Sequence, residues 1–142
     1  MDFEDNRKDI RDDFHLWRRI PQKQIVPLMD NKGIYRVSSG AFQNTSGTKS
    51  MSVSIANLVK VTPEIYLSKF PEAVAIVSIT AGQVRECNQG VIHTPQDDDN
   101  AHGEVIGEKP KSFKKKMARI CEWVIKPINL DFSDYKNTTS ED

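Results

Sequence analysis

Six basic residues, Lys109, Lys111, Lys114, Lys115, Lys116 and Arg119, crowd the start of the last helical pattern in the chain. The positive end of a helix dipole disfavours each cation there by roughly 0.3–1 kcal/mol, so a sequence shaped for stability alone would place Asp or Glu at those positions. The chemistry this suggests is anion binding, with Lys side chains and free amide groups meeting a phosphate. The competing interpretation is a solvated face balanced by Glu108 and the Asp97–Asp99 loop. A second cluster, His93, Asp97, Asp98, Asp99 and His102, holds two imidazoles and three carboxylates within ten residues. Its spacing matches no metal-site signature, and no metal is expected. Cys87 lies near His93 without a third residue to orient a thiol nucleophile.

A third set is dispersed: Arg18 or Arg19 early, Ser52-Val53-Ser54 in the middle and Glu104 late. An arginine can grip a diphosphate in a fork, a serine can orient its strand, and a glutamate can stabilise an oxocarbenium-like ribose. Trp17, Tyr35, Phe42 and Trp123, near Arg18, Arg19 and Arg36, offer stacking surfaces for single-stranded nucleic acid, although no RNA-binding motif accompanies them.

These residues need elements to position them. Leu16 to Ile20 reads as a strand stopped by Pro21, and Ile34 to Val37 as a second strand after the turn Asp30-Asn31-Lys32-Gly33. The polar stretch 38–50 reads as a long loop anchored by Ala41 and Phe42. Met51, Val53 and Ile55 alternate with small or polar residues, the period of a half-buried strand. Thr62-Pro63-Glu64 announces a short helix ending by Pro71. Ala73 to Thr80 is the most apolar stretch and predicts a central strand covered on both faces. A short irregular or helical stretch follows, then strands at Val91–His93 and His102–Ile106 with an exposed loop between them. Phe113, Met117, Ile120, Cys121 and Val124 form the stripe of a closing amphipathic helix, with Ser112 as cap and Pro127 as limit. The prediction is an α+β fold: a mixed or antiparallel sheet of five or six strands, one central helix and one C-terminal helix. Residues 1–13 are expected to be a charged flexible arm, 14–130 one domain, and 131–142 an acidic flexible tail.

The chain has 142 residues, with 20 Lys plus Arg against 20 Asp plus Glu. That length suits one core burying about two-thirds of the unfolded surface. Zero net charge argues against a general polyanion binder, but the charge is segregated. Residues 1–13 carry −3, 109–126 carry +6 and 127–142 carry −3. Two Cys cannot form a disulfide framework, and no stretch approaches the ~20 apolar residues of a membrane span. Nine charges in the first thirteen residues exclude a signal-peptide apolar region, so a cytoplasmic location is expected.

The order of arginine, Ser-x-Ser strand and glutamate resembles the layout of ADP-ribosyltransferases. That resemblance implies an enzyme acting on NAD through Arg19, Ser52 and Glu104. More of the chain is similar to a group of small uncharacterised bacterial proteins. The matching segments are Leu16-Trp17-Arg18-Arg19-Ile20, Ser39-Gly40-Ala41-Phe42, Met51-Ser52-Val53, His102 with Gly107, and the Lys-Ser-x-x-Lys-x-Met-Ala-Arg tract at 111–119. The second resemblance transfers no activity. It implies a bacterial intracellular protein of one domain, with a toxin–antitoxin or phage-defence setting and a neighbouring gene product as partner. The sequence reading favours a binding or accessory protein over an enzyme, without a cofactor, engaging a protein or anionic small molecule. Its expected surface joins Arg18, Arg19 and Arg36 with Lys111, Lys114, Lys115 and Arg119.

Overall fold

The computed structural model describes residues 3–28, 34–128 and 130. Among them the chain is α+β, with an antiparallel six-stranded sheet and a separate two-stranded ribbon. The large sheet contains β1 (His15–Pro21), β4 (Ser50–Ile55), β5 (Ala73–Thr80), β6 (Gly90–His93), β7 (His102–Ile106) and β8 (Glu122–Ile125). Its order is β6-β7-β4-β1-β5-β8, while β2 (Ile25–Pro27) pairs with β3 (Tyr35–Val37) in the ribbon. The helices are α1 (Pro63–Ser68), α2 (Ala81–Arg85) and α3 (Lys111–Ile120).

Register decides which side chains share a face, because successive residues of a strand point to opposite sides. Leu16 lies opposite Ile55 and Ile79, and Met51 opposite Val105. These residues point to one side and build the main core with Phe42, Phe113 and Met117. The other side carries Trp17, Arg19, Ser50, Ser52, Ser54, His102 and Glu104, and α1 packs on it against β5. Thr62 caps α1 through the Ile65 amide at 3.2 Å, with Pro63 in its first turn, as the sequence predicts. A reciprocal Thr80–Gln83 capping box starts α2 directly at the end of β5.

The expected closing helix comes out differently. The last apolar stripe is not one helix: α3 stops at Ile120, Cys121 turns extended, and β8 pairs with β5, Val77 opposite Trp123. Ile120, Cys121 and Val124 suit either period, and pairing on the free edge of β5 decides for a strand in a stretch rich in β-formers. Nor does Ser112 cap α3, since Pro110 occupies the cap position and offers no side-chain bond.

The segment expected as a charged arm is packed instead. Asn6 donates its amide to the Val91 carbonyl at 2.8 Å, and its side-chain oxygen accepts from the His93 amide at 2.9 Å. These bonds cover the edge of β6. Ile10 enters the main core, and Asp5 and Asp12 both bond Arg85 of α2. Gly90 is required for this docking, because a Cβ there would sit 2.1 Å from the Glu4 carbonyl oxygen. Within the expected 38–50 loop, residues Ser39–Ala41 form a 3-10 turn that packs on α3. The turn at Asp30–Gly33 and the acidic tail at 131–142 lie outside the described residues.

Candidate functional site

Arg18 and Arg19 are adjacent in sequence and so emerge on opposite faces of the sheet, which divides the single basic surface expected from the sequence. Arg18 turns toward the main core, where its Nε donates to the Ala41 carbonyl at 2.9 Å and its Nη1 to the Ser52 carbonyl at 2.7 Å. Pairing of β1 with β4 ends at Trp17 and Ser54, and Arg18 holds the two strands beyond that point. Burial, reinforced by the Arg19 charge, lowers its guanidinium to about 10. Its role is structural. Arg19 lies on the other face with its Cζ 3.6 Å from the Phe70 ring centroid, a cation–π contact.

Lys109 also leaves the expected cluster. It is buried, and its Nζ donates to the Val105 carbonyl at 2.9 Å and the Gly107 carbonyl at 3.0 Å, closing the end of β7. Burial and the Arg18 charge lower its ammonium to about 8, against a smaller opposing pull from Glu108. The unfolded chain therefore binds more protons than the folded one above that pH, and stability rises as Lys109 deprotonates in the native state. Burial pushes the Cys121 thiol from 9.0 up to about 11, which makes stability fall with pH between those values. Urea midpoints measured between pH 8 and 9 should therefore rise in the parent relative to Lys109→Met. Parallel profiles would refute this assignment.

Three of the expected anion-binding residues do converge. Arg36 of β3 and Lys115 and Arg119 of α3 line a groove of about 430 Å³ with Val37 and Ala118. Lys115 and Arg119 are one helical turn apart and therefore share a face of α3. Two of the acidic residues expected to balance this helix, Glu108 and Asp99, are engaged elsewhere. Glu108 pairs with Lys49 at 3.0 Å, and Asp99 accepts from the Tyr66 hydroxyl at 3.0 Å on the opposite side of the sheet. Lys111 is exposed in the first turn of α3 and Lys114 half-buried in the next, and neither lines this groove.

The polar face of the sheet holds a second constellation. Arg19 and Ser52 line a pocket of about 150 Å³ that opens where β1 and β4 separate, together with Trp17, Ser54 and Glu72. Glu104 pairs with Ser52 across β4 and β7, but its carboxylate accepts from the Ser50 hydroxyl and does not line the pocket. The pocket is smaller than the roughly 300–1,000 Å³ of common ligand sites and cannot enclose a dinucleotide such as NAD. Beside it, Ser52 Oγ is 3.3 Å from His102 Nε2, and His102 Nδ1 is 3.0 Å from the Thr94 carbonyl. Ser54 and the Tyr66 hydroxyl are 2.6 Å apart under α1. Burial raises the Tyr66 phenol above its usual range, an effect opposed by Ser54 and reinforced by Asp99.

The histidine loop does not assemble a metal centre. His93 bonds the Asn100 carbonyl, His102 faces Ser52 and Thr94, and Asp97 and Asp98 point to solvent. Among the described residues no group of three potential ligands converges. The aromatic residues likewise form no single platform. Phe42 is fully buried, Trp17 meets Tyr66 edge-on at 6.1 Å, and Tyr35 shares a shallow pocket with Trp123. No described helix is long and apolar enough to cross a membrane.

Alternation of His102 with Glu104 on β7 is the sequence signal that puts both on one face of that strand, while the β4–β7 register brings His102 to Ser52. The chain matches no protein family, no curated protein and no solved structure.

Proposed function

We propose that this protein binds a phosphate-bearing anion in the groove between β3 and α3. The observation that carries this reading is the convergence of Arg36, Lys115 and Arg119 on one groove of about 430 Å³. That volume falls within the roughly 300–1,000 Å³ of small-molecule sites. Val37 and Ala118 add apolar surface for the non-ionic part of a ligand such as a nucleotide. The cations stand on separate elements, a strand and a helix, so they can approach one anion from two directions. Lys115 and Arg119 lie one turn apart on α3 and repel each other, and an anion bound between them relieves that repulsion.

Lys115 and Arg119 are exposed, so replacing both by Glu should leave the fold intact. In titrations with adenosine triphosphate and with short polyphosphate at low salt, Lys115→Glu/Arg119→Glu should raise Kd by about tenfold or more, since 1.4 kcal/mol is a factor of ten. The parent's affinity should fall steeply as salt is added. Equal affinity in the two proteins, or no binding by the parent, rejects this function.

A further inference from the structure

We propose that Ser52 and His102 form a nucleophile–base pair that hydrolyses small esters carrying an anionic acyl group, held by Arg19. Hydrogen-bond polarity supports the assignment. The Thr94 carbonyl can only accept, so His102 Nδ1, 3.0 Å away, carries the proton. The Thr94 hydroxyl lies 2.9 Å from the same nitrogen and limits rotation of the ring. Nε2 is left with its lone pair toward Ser52 Oγ at 3.3 Å, and the Ser52 hydroxyl donates to it. Nucleophile, base and orienting acceptor therefore stand in the sequence that activates a serine. The contact is longer than an ideal hydrogen bond, as is common for such pairs before substrate arrives.

Further features suit this chemistry. His102 is buried, so its basic nitrogen meets the serine largely shielded from water. Ser52 is only half-buried and lines the pocket between β1 and β4. Arg18 bonds the Ser52 carbonyl and fixes the backbone of the nucleophile from the far side of the sheet. Arg19 brings positive charge to the same pocket, which Glu72 also lines, and its guanidinium is stacked on the Phe70 ring. The pocket volume of about 150 Å³ accommodates an acyl group of a few carbons.

The reaction balances with water as the second substrate. Ser52 Oγ attacks the ester carbonyl carbon while His102 Nε2 takes the hydroxyl proton. The carbon–oxygen bond to the alcohol then breaks, and the imidazolium returns the proton to the departing oxygen. Water attacks the resulting acyl-serine, giving its proton to His102. The Ser52–acyl bond breaks, Ser52 recovers the proton, and the carboxylic acid leaves. One ester and one water become one acid and one alcohol.

The test treats the full chain with a small dialkyl fluorophosphate and maps the adduct by peptide mass. Ser52 should be modified at least a hundredfold faster than N-acetylserinamide in the same buffer, since a positioned general base contributes about 10²–10⁴. His102→Gln should lose that advantage. The parent should also hydrolyse p-nitrophenyl hemisuccinate in preference to p-nitrophenyl acetate, and Arg19→Gln should abolish the preference through KM. An unmodified Ser52, modification no faster than the reference amide, or an unchanged rate in a folded His102→Gln protein overturns the pair. Should His102→Gln not fold, the parent's rate against N-acetylserinamide still decides. Absence of the hemisuccinate preference overturns the role of Arg19.

Discussion

Replacing Arg85 by alanine should destabilise the protein by about 3 kcal/mol, lowering Tm by about 10 °C. The Arg85 side chain is 4% exposed and binds Asp5, itself 6% exposed, through Nε at 3.0 Å and Nη2 at 2.9 Å. Its Nη1 reaches Asp12 at 2.8 Å. Removing the guanidinium leaves the Asp5 carboxylate buried with, among the described residues, Arg7 and the Val91 amide as partners, at 3.1 Å each. Breaking a buried pair from one side typically costs 3–5 kcal/mol, and the remaining partners place this case near the lower bound. Replacing both charges at once, as Asp5→Leu/Arg85→Met, should recover much of the loss. Thermal melts of the single and double variants decide. If Arg85→Ala melts with the parent, residues 3–13 do not clasp the domain.

Phe42→Ala should cost about 4 kcal/mol, within the range found for emptying a buried aromatic site. Phe42 is fully buried, although it stands in a stretch whose composition reads as loop. It follows the 3-10 turn at Ser39–Ala41, and that turn packs on α3. Phe113 and Met117 bring α3 into the same core. Truncation therefore removes part of the bed on which α3 lies, and the groove formed by Lys115, Arg119 and Arg36 should loosen with it. The measurement is urea unfolding of Phe42→Ala and Phe42→Leu, the second giving a smaller loss because it refills part of the cavity. A loss under 1 kcal/mol for Phe42→Ala would show that the turn can collapse into the space.

Local rules were sufficient for much of the fold. The alternation of Met51, Val53 and Ile55 predicts β4, and the Thr62-Pro63 pair marks the start of α1 because a capping hydroxyl and a proline each act within one turn. The apolar run at Ala73–Thr80 predicts β5, buried along most of its length. Local rules failed where the deciding partner is distant. Residues 3–13 look like a solvated arm until Arg85, eighty residues from Asp5, supplies the countercharge. Cys121 to Ile125 continues a helical stripe until the open edge of β5 offers a ladder.

The candidate sites divide in the same way. Lys115 and Arg119 share a helix face by spacing alone, so part of the anion groove was legible. Arg36 joins them only because β3 packs on α3. Ser52 and His102 are fifty residues apart, and nothing between them signals that they meet. Their contact follows from the β4–β7 register, which puts Ser54 opposite His102 and brings the imidazole diagonally onto Ser52.

By itself, the sequence determined the class of the fold, most strand positions and the concentration of positive charge in one helix. Those properties depend on side-chain period and turn chemistry over a few residues. Tertiary structure decided that Arg18 braces a gap between strands while Arg19 stacks on Phe70, and that Lys109 is an internal donor rather than part of a charged face. It also decided that His102 faces a serine. The physical reason is register: shifting a strand pairing by one residue exchanges its two faces, and strands from distant parts of the chain set that register together.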